Sequence, residues 1–328
     1  MEQVIKRRLS YIDVSKVLAM FLVTWAHCAQ QLSGNLFPVL LISKDSFISF
    51  NMAIFMIASG YVMNISKMRG TSLVEFTCSK IIRLLVPMVT WLLIWSLIIY
   101  PKHLDYWFAY WYLSSLFICL LTIKILTRFF SSDWAICITS IICLSLIPLH
   151  SFERICYMIP FLWVGYLLKF IINRLKIKIA LLLTALYLIL YFFWDVHFSI
   201  YLSPFHIVDI DVNLLFSAVY RFTIGAIGGL AIISWIYIGV DRYRLKWMCY
   251  FARGGEYTLV FYTMSFVLNA ILAKVMWHFG FYITTPGLLD IVSFILSVAM
   301  MALMYYFQKY LEHNKISCIF LGIVYRKL

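Results

Sequence analysis

Charged residues are scarce in this sequence, and acidic residues are the scarcest of them. Only 12% of the 328 residues are charged, Asp and Glu together number 14, and 64% of the chain is hydrophobic. A soluble domain would carry about 25% charged residues. The mean hydropathy of +0.93 therefore excludes an ordinary water-soluble domain and indicates that lipid surrounds most of the chain.

Linkers and cysteine motifs are also missing. No Pro-, Gly- or Ser-rich tract divides the chain, so we predict one membrane domain over residues 1–328 without a separate soluble domain. The eight cysteines lack CxxC or metal-ligand spacing, which predicts reduced packing residues and no metal site. The basic start is typical of a signal peptide, but the apolar run behind it contains Asp13 and Lys16 and is long enough to span, so we expect it to be retained.

Apolar segments fill the rest of the sequence, and ten of them approach the roughly 20 residues that a helix needs to cross the hydrocarbon core. They lie at 11–32, 47–63, 84–100, 106–126, 134–149, 155–172, 179–194, 214–240, 257–280 and 288–306. The fifth and the seventh are short. We predict an all-α, polytopic membrane protein with about ten transmembrane helices.

The basic residues predict the orientation of these helices. If the N-terminus lies inside, 21 of the 27 Lys and Arg residues fall on the inner side and only 4 on the outer side. Because cytoplasmic connections carry the excess of Lys and Arg, both termini should be cytoplasmic. The positive charge is then a signal of orientation and of contact with membrane lipid, and no nucleic-acid partner is expected. His and Asp residues with aromatic neighbours mark the outer connections, where either an aromatic belt or sugar binding would explain them.

Ionisable residues within a membrane span are functional candidates, because each costs about 2.5 to 3.5 kcal/mol on insertion scales. The first segment carries Asp13, Lys16 and His27. An eleven-residue separation returns Lys16 and His27 to within about 20° of one helix face, roughly 16 Å apart along the axis. Asp13 lies one turn from Lys16 and is close enough to pair with it. The alternatives are a Lys16 side chain that reaches the inner headgroups and a structural His27 bonded to another helix.

Arg221 is a second candidate inside a predicted span. Its guanidinium must face the protein interior or a water-filled cavity. A buried ion pair with a carboxylate such as Glu153 or Asp209 is one interpretation. Recognition of an anion is the other.

The spacing Asp13-x-x-Lys16-x10-His27 resembles the first-helix signature of the acyltransferase-3 family of integral-membrane O-acyltransferases. Lys16 stands where many members have Arg, which keeps the charge but loses the bidentate fork. Four further segments are similar to family motifs and occur in the same order: 55–61 (FMIASGY), 80–87 (KIIRLLVP), 111–117 (WYLSSLF) and 160–166 (PFLWVGY). The resemblance extends from about residue 11 to residue 306.

This resemblance implies an enzyme that transfers an acyl group, usually acetyl from acetyl-CoA, to a hydroxyl of a surface glycan, a glycolipid precursor or a small secreted molecule. The compactness of the chain and the lack of targeting segments favour the inner membrane of a bacterium. His27 would be the general base, or alternatively the site of an acyl-histidine intermediate, with Lys16 and Asp13 on the same helix. Lys80 and Arg83 would bind the CoA phosphates. Succinyl is the second candidate for the acyl group.

Further residues are assigned to binding. Backbone amides near Ser59 and Gly60, or the Arg221 guanidinium, are candidate oxyanion donors. Trp111 and Tyr61, with Arg221, are candidates for the acceptor site. Close helix packing at Ser59-Gly60 and an interfacial position for Trp111 are the structural alternatives.

Two other functions fit ten helices with buried charges. The chain could be a transporter or exporter of a glycan, a lipid-linked sugar or a small solute. It could also be a membrane module that binds a small molecule without chemistry. The Lys16-to-His27 spacing beside Lys80 and Arg83 favours the acyltransferase, because a carrier does not require it.

Overall fold

A computed structural model describes residues 9–34, 42–98, 110–146, 153–194 and 212–322, and these ranges contain helices but no strand. The helices are α1 (Ser10–Leu32), α2 (Ile42–Val62), α3 (Ile65–Gly70), α4 (Leu73–Lys80), α5 (Val86–Ile98), α6 (Trp111–Leu126), α7 (Asp133–Ser145), α8 (Glu153–Ile171), α9 (Ile177–Phe192), α10 (Val212–Tyr237), α11 (Lys246–Phe251), α12 (Thr258–Phe279), α13 (Pro286–Leu311) and α14 (Lys315–Leu321). A π-helical turn, Ile81–Leu85, joins α4 to α5, and a 3-10 segment, Ala252–Tyr257, joins α11 to α12.

The prediction of an all-helical membrane protein is confirmed. Six helical runs are long and apolar enough to cross a membrane: Ser10–Leu32, Leu73–Leu97, Arg154–Arg174, Leu215–Arg242, Lys246–Phe279 and Pro286–Leu311. Four shorter apolar helices are Phe47–Val62, Trp111–Leu126, Asp133–Ser145 and Ile177–Phe192. Each of the ten predicted segments overlaps one of these runs. The number of crossings and the orientation stay predictions.

Some helices extend beyond the predicted segments. The third segment, predicted from residue 84, begins at Leu73, because Ser72 caps the helix by accepting a 3.1 Å hydrogen bond from the Glu75 amide. The last segment, predicted to end at residue 306, continues to Leu311. Both extensions carry polar residues, so the helix continues where the apolar run stops.

Helix α1 lies in the centre of the bundle and packs against α2, α12 and α13. Ile12, Ala19 and Met20 on α1 are at most 1% exposed. Where α1 begins, the Tyr11 hydroxyl is 2.6 Å from that of Tyr61, and the Tyr11 ring meets the Tyr237 ring edge-on at 5.2 Å. This end of the bundle is called the inner end here, because the predicted orientation places it in the cytoplasm.

Helices α2 and α8 approach each other through a reciprocal pair of glycines. A Cβ on Gly60 would overlap the carbonyl oxygen of Leu162 and lie 2.7 Å from its carbon, and a Cβ on Gly165 would meet the carbonyl of Ile57 in the same way. Small residues allow membrane helices to pack backbone against backbone. The interlock fixes the position of the FMIASGY motif on α2.

The short helix α14 packs across α5 at the inner end. The Trp91 indole donates a 3.1 Å hydrogen bond to the carbonyl of Leu321. Gly322 ends the helix in the left-handed conformation with φ at 75°, which glycine adopts without steric cost. All eight cysteines, including Cys318 on this helix, are free.

Candidate active site

His27 and Lys16 lie on one uninterrupted helix, because α1 is continuous from Ser10 to Leu32. The predicted spacing of about 16 Å along the axis and about 20° around it therefore applies. Both side chains are half-buried. The Cys28 thiol lies 3.5 Å from the Met300 sulfur of α13, and one residue turns a helix by about 100°. The stripe formed by Lys16 and His27 therefore lies about 100° around α1 from this contact with α13.

Asp13 packs against the 3-10 segment that precedes α12. A Cβ on Gly255 would overlap the Asp13 Cβ and lie 2.7 Å from its Cα. The missing side chain of Gly255 therefore creates the space in which the inner end of α1 sits. Pairing of Asp13 with Lys16 stays a prediction.

Three successive residues of α2 were assigned to binding, and they make different contacts. The Ser59 hydroxyl is 3.2 Å from the Tyr112 hydroxyl, whereas Tyr61 is buried and bonded to Tyr11. Gly60 provides the close approach to Leu162, as the packing interpretation expects. The amides of Ser59 and Gly60 lie inside α2, where backbone N–H groups bond the carbonyl four residues earlier. These two amides therefore already donate hydrogen bonds within the helix.

Arg221 lies at about the same depth in the bundle as His27. Tyr11 of α1 touches Tyr237 of α10, and each candidate is sixteen residues from its tyrosine, which at 1.5 Å per residue is about 24 Å. Arg221 is 2% exposed, and its carbonyl accepts a 3.2 Å hydrogen bond from Tyr157. Of its predicted partners, Asp209 and the side chain of Glu153 lie outside the described residues.

Lys80 and Arg83 lie together at the inner end. The Lys80 ammonium lies 5.4 Å from the centre of the Phe76 ring, and its charge interacts with those of Arg83 and Lys67. Lys67 and Arg83 are exposed. Sequence reasoning used Lys67 only as a signal of orientation and missed its place in this group.

Sequence reasoning also missed three basic residues that are bound to the protein itself. Lys124 is 1% exposed, and its ammonium donates to the carbonyls of Met68 and Thr71. Lys169 donates to the carbonyl of Met63, and Arg69 pairs with Asp133 at 2.7 Å. The position of Lys124 within the apolar segment 106–126 was the available signal, because a fully buried lysine requires a partner.

Trp111, a candidate for the acceptor site, interacts with a cation. The Arg154 guanidinium lies 5.5 Å from the centre of its ring, a distance typical of a cation–π contact. A cavity of about 580 Å³ lies at the far end of α12, lined by Lys274, Val275, Trp277, His278 and Phe279. His27 is not part of that lining.

Comparison with protein families identifies the class of protein to which this arrangement belongs. The model of the acyltransferase-3 family, described as an acyltransferase domain, matches residues 9–306. This chain belongs to that family. The acyltransferase-3 match begins just before α1 and ends in α13, so it includes every candidate residue discussed above. No curated protein and no solved structure matches the chain.

Proposed function

We propose that this chain is a membrane O-acyltransferase that moves an acyl group, acetyl in the first instance, from cytoplasmic acyl-CoA to a hydroxyl of a cell-surface or exported carbohydrate. Membership of the acyltransferase-3 family supports the reaction class. The apolar helices make the protein an integral membrane protein. Placement in the inner membrane of a bacterium and a glycolipid or glycan acceptor belong to the proposal.

The observation that carries the proposal is the arrangement on α1. A half-buried imidazole, His27, lies about 16 Å along one helix from Lys16, and Lys16 lies near the end of the bundle that also holds Lys80 and Arg83. That separation is comparable with the length of a pantetheine arm. Cations at the inner end suit the phosphates of CoA, because phosphate oxygens favour charge-assisted hydrogen bonds.

His27 then performs the proton transfer. Its neutral imidazole accepts the proton of the acceptor hydroxyl, whose oxygen forms a bond to the acyl carbon while the carbon–sulfur bond breaks. The imidazolium returns the proton to the departing thiolate, so the products are an O-acyl ester and free CoA. Lys16 and Asp13 carry their charges on the same helix, nearer to the inner end than the reacting atoms. An acyl-histidine intermediate is the alternative route.

Arg221 is the better candidate for the oxyanion donor. The amides of Ser59 and Gly60 are committed within α2, whereas the Arg221 guanidinium is buried at about the depth of His27. A preorganised cation in a dry site stabilises a developing negative charge strongly. Trp111 is assigned to the wall of the acceptor site, and Ser59 and Tyr61 are assigned to its inner part, where they hold hydroxyls of neighbouring helices.

Mass spectrometry of surface glycans from cells with and without the chain tests the proposal. Loss of one acetyl mass per modified residue, with the polymer still present, is the expected result. Loss of a succinyl mass would change the donor but keep the reaction. Disappearance of the whole polymer would overturn the proposal and favour an exporter.

A further inference from the structure

The connection between α2 and α4 is held by cations that donate into it. Lys169 of α8 donates to the carbonyl of Met63, where the connection begins. The Lys124 ammonium of α6 donates to the carbonyl of Met68 and, at 2.6 Å, to that of Thr71. On the outer edge of the connection, Arg69 pairs with Asp133, the first residue of α7. Three neighbouring helices thus fix this stretch of chain, in addition to the buried side chains of Met63, Ile65 and Met68.

Lys124 is unusual among these residues because it is 1% exposed and its hydrogen-bond partners are neutral carbonyls. Burial of an ammonium group is costly unless hydrogen bonds replace its hydration. The influence of Lys124 extends from Thr71 to Lys67, because the Thr71 hydroxyl donates a 2.9 Å hydrogen bond to the carbonyl of Lys67. The Asn64 side chain, which caps α3, accepts from the Lys67 amide at 2.9 Å. Both the amide and the carbonyl of Lys67 are therefore held by hydrogen bonds.

The remaining cations of this region are Lys67 and Arg83, which are exposed, and Lys80, which is half-buried. Between residues 63 and 85 the sequence contains four basic residues and one acidic residue, Glu75. Arg69 forms an ion pair with Asp133. Lys67, Lys80 and Arg83 have no carboxylate or carbonyl partner in the described part of the chain, and the charge of Lys80 interacts with those of the other two. A group of like charges with a fixed backbone at Lys67 is suited to binding an anion.

We propose that Lys124 is a positioning residue: through the carbonyl and hydroxyl of Thr71 it holds Lys67 beside Lys80 and Arg83, so that three cations face one phosphate-bearing ligand. The phosphate belongs either to the nucleotide part of CoA or to an anionic lipid headgroup at the inner surface. The nucleotide assignment rests on the function proposed above. The positioning by Lys124 does not.

A double-mutant cycle on the purified full-length chain in phosphatidylcholine nanodiscs tests the proposal, with adenosine 3′,5′-bisphosphate as the calorimetric probe. Lys67→Ala should weaken binding about tenfold to a hundredfold, because one charge-assisted hydrogen bond to phosphate is lost. Lys124→Met should weaken binding to a similar extent, and the double variant should bind no worse than Lys67→Ala alone. Thr71→Val, which leaves the Lys124 contacts in place, should reproduce part of the loss.

Arg128→Ala is the matched control, because Arg128 is an exposed cation that interacts electrostatically with Lys124 and should change the affinity little. Effects of Lys67→Ala and Lys124→Met that simply add would reduce Lys124 to a structural role and overturn the proposal. The proposal would also be overturned if Lys67→Ala bound the nucleotide and the anionic headgroup with normal affinity.

Nanodiscs that contain phosphatidylglycerol distinguish the two sources of phosphate. If the variants lose only the enrichment of phosphatidylglycerol around the protein, the cation group binds headgroups, which supports the site and contradicts the nucleotide assignment. If the variants lose nucleotide binding in neutral lipid, the assignment to CoA stands. Acylation of surface glycans is measured separately, so failure of the enzymatic proposal does not affect this result.

Discussion

Gly255 packs directly against Asp13, so closely that a methyl group on Gly255 would lie 2.7 Å from the Asp13 Cα and overlap its Cβ. The contact joins the 3-10 segment before α12 to the inner end of α1. The end of α1 that carries Asp13 and Lys16 is therefore positioned in part by this contact.

Gly255→Ala should therefore lower both stability and acyl transfer. Overpacking of this kind costs about 1–3 kcal/mol, and relief of the overlap would displace α1 from the 3-10 segment. Thermal unfolding in detergent and turnover with acyl-CoA are the measurements. Gly287→Ala is the control, because a Cβ there meets nothing within 4 Å. Unchanged stability of the Gly255 variant would show that α1 is not held as described.

Gly60→Ala and Gly165→Ala should each disrupt the contact between α2 and α8, because each new methyl group would overlap a backbone carbonyl that cannot rotate away. We expect poor yields of monodisperse protein in gel filtration for both variants, and normal yields for Gly287→Ala. A well-folded Gly60→Ala protein that has lost only activity would favour a catalytic part for this motif over packing.

His27→Ala should reduce acyl transfer by about a hundredfold to ten-thousandfold, the usual contribution of a general base. The protein should still reach the membrane and retain its unfolding temperature, since the side chain is only half-buried. His313→Ala, at an exposed position after α13, serves as the comparison. Normal glycan acylation in cells that carry only the His27 variant would remove the proposed chemistry.

Lys80→Ala and Arg83→Ala should raise the KM for acyl-CoA about tenfold to a hundredfold, because each variant loses a charge-assisted hydrogen bond to phosphate. Since these cations lie far from His27, kcat at saturating acyl-CoA should change much less. Steady-state kinetics with varied donor and varied acceptor separates the two effects. An equal rise in the KM for both substrates would contradict a donor site at the inner end.

Cysteine labelling should reveal the orientation. Cys78 and Cys249 are exposed and lie on the predicted cytoplasmic side, so a membrane-impermeant maleimide should modify them in inverted vesicles but not in intact cells. Burial, and to a smaller extent Glu312, raises the pKa of the Cys318 thiol, which leaves less reactive thiolate. Cys318 should therefore react slowly from the same side. Fast labelling of Cys78 in intact cells would reverse the predicted topology.

The sequence predicted the helices well because lipid imposes a simple requirement on them. Each apolar stretch corresponds to a helix, and the residues of α1 share one continuous element as their spacing indicated. The missed extensions at Leu73 and Leu311 have a common cause, since an apolar run ends where polar residues begin, whereas helical hydrogen bonds continue.

The site was less predictable because a sequence shows a charge but not its partner. Lys67, Lys124 and Lys169 all counted equally as inner-side cations. The structure commits two of them to backbone carbonyls and leaves Lys67 exposed. Likewise, Ser59-Gly60 was compatible with chemistry or with packing, and only the position of Leu162 on another helix shows what Gly60 touches. Such distinctions depend on contacts between residues far apart in the chain.

The docking of α14 affects how this protein should be handled in the laboratory. The Trp91 indole bonds the carbonyl of Leu321, and Gly322 follows at once, so α14, the last helix of the described residues, is attached to the bundle up to its final turn. An affinity tag or fluorescent protein fused directly behind Gly322, in place of residues 323–328, would crowd that attachment. A flexible spacer, or a tag placed at the other terminus, would leave it undisturbed during extraction into detergent.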